Sequence, residues 1–231
     1  MSLRELLFAV ADLWMITVGF TYGIKFIRNY RNYLLGVEWI IVATSGTNFL
    51  IYGLLKAGHD SPMYAFAYFL DAFSRSIGIT LILVLGLMKV THRYKPSLTV
   101  DIGAFALAGV VGFALSTFAE ELGTPGKIFY IVVNVPTTLF LIYFSKRLWD
   151  IGERRHAVWA AVATACAFVI AAIYDFVSLP GDDAEHTIFY TFALSTWGLQ
   201  MFVYYRAYRA FDEHNRRVDA DLVTDGRPVT A

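Results

Sequence analysis

Long apolar stretches alternate along the chain with short polar intervals. Seven of these stretches have about the 20 residues that a helix needs to cross the hydrocarbon core of a bilayer. They occupy residues 5–27, 34–56, 62–89, 98–119, 127–149, 155–179 and 186–210. The pattern predicts an all-α polytopic membrane protein with seven transmembrane helices. The first stretch is too long for a cleaved signal peptide and has the wrong flanks, so it is interpreted as a retained helix.

Composition supports the same class of protein. Hydrophobic residues make up 57% of the 231 residues and charged residues only 16%, whereas soluble domains carry about 25% charged residues. Mean hydropathy is +0.53. This composition excludes an ordinary soluble domain, and the lipid bilayer is the first expected partner.

The basic residues are unevenly distributed between the two sets of connections. One set carries Lys25, Arg28, Arg31, Lys89, Arg93, Lys95, Lys146, Arg147, Arg154, Arg155, Arg206, Arg209, Arg216 and Arg217. The other carries Arg4, Lys56 and Lys127, with acids at Asp60, Glu120, Glu121, Asp182, Asp183 and Glu185. Short cytoplasmic loops hold the excess of Lys and Arg, so we expect the N-terminus outside and the C-terminus inside, in a bacterial inner (plasma) membrane. Because the basic residues serve as topology signals, we expect no nucleic-acid partner.

The end of the chain differs from the rest. Residues 212–231 are polar, mixed in charge and poor in large apolar side chains, so they cannot bury enough surface to order themselves. We therefore assign residues 1–211 to a transmembrane domain and 212–231 to a cytoplasmic tail, with a short helical extension followed by disorder. The single cysteine, Cys166, excludes an intrachain disulfide and is expected to have a packing role.

The third stretch contains an ionisable pair, Asp71 and Arg75. Ionisable side chains in a membrane helix are costly, and they are usually functional or paired. Residues three and four apart share a helix face, so Tyr64, Tyr68, Asp71, Arg75 and Gly78 are expected to form one stripe. At ~1.5 Å per residue from Pro62, Asp71 lies ~14 Å and Arg75 ~20 Å below the outer surface, close to the midplane.

Other helices carry polar and aromatic residues at similar depth. Residues predicted to share a ligand-binding pocket with Asp71 and Arg75 are Tyr68, Asn48, Thr44, Asp12, Asn134, Trp197, Gln200 and Tyr204. Pro136 follows Asn134 closely and can free a backbone carbonyl in mid-helix. Two interpretations of the pair stay open: an ion pair that only holds the bundle together, or charges that meet a ligand or a proton.

Three further features follow from where residues lie along the predicted helices. Glu38 and Asp175 lie near helix ends, so we expect both to reach water, with a gate or interface role as the alternative. The fourth helix carries a small-residue stripe that lets another helix approach closely, either within the bundle or in a homo-oligomer. The stripe consists of Ala104, Ala108, Gly112 and Ser116.

An internal repeat is suggested by two short matching segments. "WIIVAT" at 39–44 and "WAAVAT" at 159–164 share four residues, lie 120 residues apart and occupy the same place at the start of an even-numbered helix. Residues 5–89 and 127–210 are then parallel copies joined by the helix at 98–119, although a chance match stays open. This 3+1+3 plan resembles the SWEET sugar facilitators, vitamin transporters and opsin-like seven-helix proteins, and parallel repeats are a known transporter design.

Several cofactors are not expected. An opsin-like retinal protein needs a lysine in its seventh helix, and residues 186–210 contain none. Haem needs buried axial ligands, whereas the five histidines lie at helix ends or in loops. The histidines His59 and His186, with their neighbouring acids, match no standard zinc spacing. We therefore expect neither a cofactor nor a metal.

These observations favour a transporter or facilitator of a small polar or anionic organic solute, with Arg75 attracting or orienting the solute and Asp71 holding Arg75 or taking up a proton. The alternative is a seven-helix ligand-binding sensor whose tail recruits a partner. A membrane-embedded enzyme is the third possibility, although no nucleophile or metal constellation accompanies it. We expect no catalytic residues.

Overall fold

The computed structural model describes residues 2–55, 58, 60–183 and 185–224. Within these ranges the chain forms seven helices, one for each predicted stretch. They are α1 Leu3–Tyr30, α2 Tyr33–Leu55, α3 Pro62–Thr91, α4 Leu98–Thr117, α5 Ala119–Asp150, α6 Arg154–Ile173 and α7 Thr187–Thr224. The all-α prediction is confirmed.

Six of the helices, α1 to α6, are long and apolar enough to cross a membrane. Large apolar side chains on their outer faces are exposed rather than buried, as the lipid-facing side of a bundle requires. Examples are Leu107, Val110, Phe113, Val132, Leu139, Ile142, Val158 and Val169. The chain is therefore an integral membrane protein.

Local sequence explains where three helices begin. Ser2, Ser61 and Ser97 each precede a helix, and the hydroxyl of each accepts a hydrogen bond from the backbone N–H three residues later. This contact satisfies one of the four N–H groups that have no partner inside the helix. Pro62 occupies the first turn of α3, where its missing N–H costs nothing.

The start of α7 is held by an acid from the preceding loop. Asp182 accepts hydrogen bonds from the backbone N–H of Ile188 at 2.8 Å and of Phe189 at 3.0 Å. Although desolvation of the carboxyl group raises the pKa of Asp182, these backbone donors favour the charged form and lower the pKa below its usual value.

Helices that are consecutive in the chain pack against each other, and the last helix, α7, packs against the first, α1. α1 contacts α2 and α7, α6 packs between α5 and α7, and α3 contacts α2, α4 and α5. α4 packs mainly on α3. The chain therefore surrounds a central space between α2, α3, α5 and α7, and α4 lies at the edge of the bundle.

Close approach of α1 to α2 depends on glycine. A Cβ on Gly19 would lie 2.8 Å from the backbone oxygen of Trp39, and a Cβ on Gly23 would lie 2.8 Å from that of Gly36. Real Cβ atoms do not approach other atoms so closely, so these backbones touch only because the side chains are absent.

The small-residue stripe of α4 faces α3. Ala104, Ala108 and Gly112 are buried, and a Cβ on Gly112 would lie 2.7 Å from the Cα of Phe73. Of the two alternatives for this stripe, packing within the bundle is the one that this structure contains. A subunit contact through α4 stays a prediction.

α3 is not a uniform α-helix. Residues Ser74–Ile82, immediately after the turn that carries Asp71, are wound as a π-helix, whose hydrogen bonds run from i to i+5. The wider turn shifts the register, so Ile79 rather than Gly78 continues the Tyr68, Asp71, Arg75 stripe into the central space. Gly78 faces α2 instead, which corrects the predicted stripe.

The tail continues α7 as far as Thr224. Asp219 forms an ion pair with Arg93 at 2.7 Å, and Asn215 donates a hydrogen bond to the carbonyl of Val90 at 2.9 Å. The helical extension is therefore longer than predicted, and it is attached to the end of α3. The disorder predicted for the remainder, 225–231, lies outside the described residues.

Candidate functional site

A cavity of about 340 Å³ lies between α2, α3, α5 and α7, with its floor near the end of α6. Five of the ten predicted pocket residues line it, namely Tyr68, Asp71, Arg75, Trp197 and Gln200. Side chains from distant parts of the chain meet at one cavity because the helices close into a ring. A volume of this order is the size of a small-molecule site.

Arg75 is the centre of a three-residue ion cluster. Its Nη1 donates to Asp71 Oδ2 at 3.2 Å and to Asp175 Oδ1 at 3.4 Å, and its Nη2 donates to Asp175 Oδ2. Asp71 Oδ1 also accepts a hydrogen bond from the hydroxyl of Tyr174 at 3.1 Å. The predicted pair of Asp71 and Arg75 is therefore present, and Asp175 is its third member.

Two aromatic rings lie over the guanidinium of Arg75. The Arg75 Cζ atom is 3.7 Å from the ring centroid of Tyr174 and 4.1 Å from that of Tyr130. Rings within about 6 Å of a cation attract it through their electron-rich faces. The same two tyrosines therefore stabilise the charge of Arg75.

Aromatic side chains line the cavity beyond this cluster. On one side, the rings of Tyr52, Tyr64 and Tyr68 follow one another at centroid distances of 6.0 and 6.2 Å. On the other, the ring of Tyr174 contacts those of Tyr190 and Trp197 at 6.1 and 6.0 Å. The cavity therefore combines aromatic walls with a charged floor.

A second, smaller space of about 30 Å³ adjoins the first. Arg75, Tyr130, Trp197 and Gln200 line both spaces, and the predicted Asn134 lines only the smaller one. Asn134 accepts a hydrogen bond from the Thr138 hydroxyl at 3.1 Å. Its amide thus lies beside the cluster rather than in the main cavity.

The other four predicted residues do not line the cavity. Thr44 donates to the carbonyl of Ile40 in its own helix, and Asn48 donates to that of Met63, which joins α2 to α3. Tyr204 is fully buried, 2.8 Å from the Thr164 hydroxyl. These three side chains satisfy their polar groups within the bundle, and Asn48 and Tyr204 do so through interhelical hydrogen bonds, which are common in membrane proteins.

Asp12, the last of the four, is fully buried in α1, and neither carboxylate oxygen has a hydrogen-bond partner among the described residues. It lies one turn from Met15, which lines the cavity, and packs against Gly46 of α2. The structure places it behind the cavity wall.

Glu38 and Asp175 were both expected to reach water, and the structure corrects this expectation for Glu38, whereas the Asp175 side chain is 18% exposed at the cavity. Glu38 is fully buried, and its carboxylate lies against Gly78. Only a glycine leaves room for it. Asp175 is held by Arg75, because α6 ends two residues earlier, at Ile173, and directs the chain toward the cluster.

Sequence reasoning missed Tyr130, Tyr174 and Asp175. Tyr174 and Asp175 are adjacent at the end of an apolar stretch. An acid in that position is the signal in the sequence that Arg75 has a second partner besides Asp71. The partner lies 100 residues away, so only the packing of α6 against the rest of the bundle identifies it.

Comparisons of the chain with family models, with curated proteins and with solved structures found no match. Among the described residues, no group of three or more His, Cys, Asp and Glu side chains could hold a metal ion; His59 lies outside them. The cavity and its side chains are therefore the basis for a function.

Proposed function

We propose that the chain is a transporter or facilitator of a small organic solute, which binds in the cavity above Asp71, Arg75 and Asp175. One observation carries this proposal: an aromatic-walled cavity of about 340 Å³ ends on an ion cluster inside a membrane helix bundle. Charges inside membrane bundles mark substrate or ion pathways, and cavities of this kind bind small molecules.

The proposed arrangement in the membrane follows the charge distribution. The N-terminus is outside, the C-terminus is in the cytoplasm of a bacterial cell, and α7 is the seventh crossing. Tyr64 and Tyr68, on the first turns of α3, then lie between the outside and the cluster, so the cavity is reached from outside. In this arrangement α7 joins the cavity to the cytoplasmic tail.

The proposed 3+1+3 plan pairs α1 to α3 with α5 to α7 and makes α4 the linker. The two matching tryptophans occupy different surroundings: Trp39 is buried and donates to the carbonyl of Met201 at 3.3 Å, whereas Trp159 is exposed. Superposition of the two halves tests the plan, since a true repeat places Trp39 on Trp159 about an axis along the membrane normal.

The transport proposal is tested with purified protein reconstituted in liposomes. The key variant is Asp71→Leu with Arg75→Met and Asp175→Leu, because the double change at 71 and 75 alone would strand Asp175. Replacing a complete buried ion cluster by apolar side chains of similar volume is often tolerated, so we expect a folded protein that takes up no solute. Uptake at the native rate by this variant would contradict the proposal and make the cluster scaffold only.

A ligand-binding sensor is the second candidate function. The observation that favours it is the continuity of α7, which lines the cavity through Trp197 and Gln200 and then reaches Thr224. Ligand contact with α7 would therefore be connected mechanically to the tail. A sensor would show ligand-dependent thermal stabilisation without any uptake into liposomes.

A further inference from the structure

We infer that the solute of the cavity is an organic cation with an alkylated ammonium group, bound by the aromatic walls and by the carboxylates of Asp71 and Asp175. This inference rests on the proposed function. It departs from the expectation that Arg75 attracts an anion, and three structural observations carry it.

The first observation is that Arg75 is already occupied. Its two terminal nitrogens donate to Asp71 and Asp175, and the rings of Tyr130 and Tyr174 lie over its guanidinium. A guanidinium has five N–H donors, and an incoming anion would reach only those that the two carboxylates leave, on a side chain that is 9% exposed. The anion would also lie beside two carboxylates, and like charges in contact repel each other.

The second observation is that the acids are more accessible than the base. The Arg75 side chain is 9% exposed, whereas the side chains of Asp175 and Asp71 are 18% and 26% exposed. With both carboxylates ionised, the cluster carries one net negative charge. The side of the cluster that faces the cavity therefore presents carboxylate oxygens and attracts a cation.

Lys127 is the remaining charged residue of the lining. Its side chain is exposed, and it lies one turn before Tyr130, toward the N-terminal end of α5. Water screens an exposed ammonium group much more than a buried carboxylate. Lys127 therefore does not cancel the negative charge of the floor. Replacing it tests whether the solute is a cation or an anion.

The third observation is the aromatic lining. Tyr52, Tyr64, Tyr68, Tyr190 and Trp197 surround the space above the carboxylates. Aromatic cages bind alkylated ammonium groups through the negative faces of the rings, and these groups have weak hydration to lose. Tyr130 and Tyr174, which also line the cavity, already cover the guanidinium of Arg75. Aromatic rings of this lining therefore accommodate a cation.

The experiment compares three probes of matched shape. Choline carries the cation, 3,3-dimethyl-1-butanol is its neutral carbon isostere, and 3,3-dimethylbutanoate is an anion of similar size. Purified protein is tested with each probe by thermal shift, and liposomes with and without the protein are tested for uptake of the two charged probes, because the neutral alcohol crosses a bilayer unaided. We expect choline to raise the Tm in a concentration-dependent way and to enter the liposomes that contain the protein. The neutral isostere should not raise the Tm, and the anion should neither raise the Tm nor enter.

Matched variants locate the effect in the cavity. Tyr68→Leu removes one ring and should weaken choline binding about tenfold, whereas Tyr68→Phe keeps the ring and should stay within about twofold. Lys127→Met should leave choline binding equal or tighter. Each variant is judged against its own Tm without a probe, so that a folding defect is not mistaken for lost binding.

The outcomes separate the two proposals. Binding and uptake of the anion, lost in Lys127→Met, would overturn the inference about charge and leave transport standing. A rise in Tm with the neutral isostere equal to that with choline would also overturn it. Choline binding without uptake would support the inference and contradict transport. The absence of binding for all three probes, together with no uptake of choline or the anion, would overturn both.

Discussion

Removing Arg75 is the change whose cost can be derived most directly from the structure. Arg75→Met leaves Asp71 and Asp175 beside each other without their common cation, since both carboxylates lie within 3.4 Å of the same Nη1 atom. Breaking a buried ion pair by removing one partner costs about 3–5 kcal/mol. For a chain of this size, that corresponds to a fall in Tm of about 10 °C.

The two acids should differ in cost. Asp175 binds both terminal nitrogens of Arg75, whereas Asp71 binds one and is more exposed. We therefore expect the loss of stability to follow the order Arg75→Met, then Asp175→Leu, then Asp71→Leu. The triple variant should recover most of the loss, because no charge is then left unpaired.

The assay is thermal unfolding of the purified variants in one detergent. A matched control is Lys146→Met, which breaks another ion pair with i,i+4 spacing, between Lys146 and Asp150, whose side chains are 70% and 44% exposed. Exposed pairs of this kind contribute at most about 0.5 kcal/mol, so this variant should melt within about 2 °C of the native chain. If Arg75→Met and Lys146→Met have the same Tm, the cluster does not stabilise the fold as a buried group of charges.

Three further predictions concern packing, capping and topology. Gly112→Ala should lower the stability by about 1–3 kcal/mol, because its Cβ would meet the backbone of Phe73. The control is Gly109→Ala, which has open space around its Cβ and should cost nothing. Equal melting temperatures for the two variants would refute the contact. Asp182→Ala should cost about 1 kcal/mol through loss of the α7 cap. Because the folded-state pKa of Asp182 is lowered, its contribution is present above the unfolded pKa and lost as the pH falls through the folded one. The Tm gap to Asp182→Ala should thus be constant above about pH 5 and should close as the pH falls below the usual range of an aspartate carboxyl, and a gap that persists in acid would contradict the role. Tags at the N-terminus and in the loop 180–186 should be accessible from outside and a C-terminal tag only from inside, and a cytoplasmic 180–186 loop would refute both the orientation and the parallel repeat.

The helices could be predicted from the sequence because membrane-spanning helices leave a signal in hydropathy alone. Each needs about 20 apolar residues, and that requirement does not depend on the neighbouring helices. The importance of Asp71 and Arg75 was visible for a related reason, since a charge in an apolar stretch is costly wherever the helix lies.

The rest of the site depends on which faces of distant helices meet. Tyr204 and Asn48 have the polarity of pocket residues, but their partners within the bundle satisfy them. Glu38 was expected at a solvated end and is fully buried because Gly78 leaves space for it. Such pairings arise from three-dimensional contact, which hydropathy and spacing along one helix do not report.

The π-helical segment sets how the two halves of α3 are turned relative to each other. Ser74–Ile82 lies between the half of the helix that carries Asp71 and the half that carries Gly86, whose carbonyl accepts a hydrogen bond from Asn32 at 2.9 Å. Returning these nine residues to ordinary α-helical winding without removing one would turn one half against the other, because a residue in the wider π-turns rotates the chain by less than the roughly 100° of an α-helix. The cavity contacts and the Asn32 contact could then not be made together. Surface loops tolerate a change of length, but in this segment the winding and the number of residues together set the phase of the whole helix.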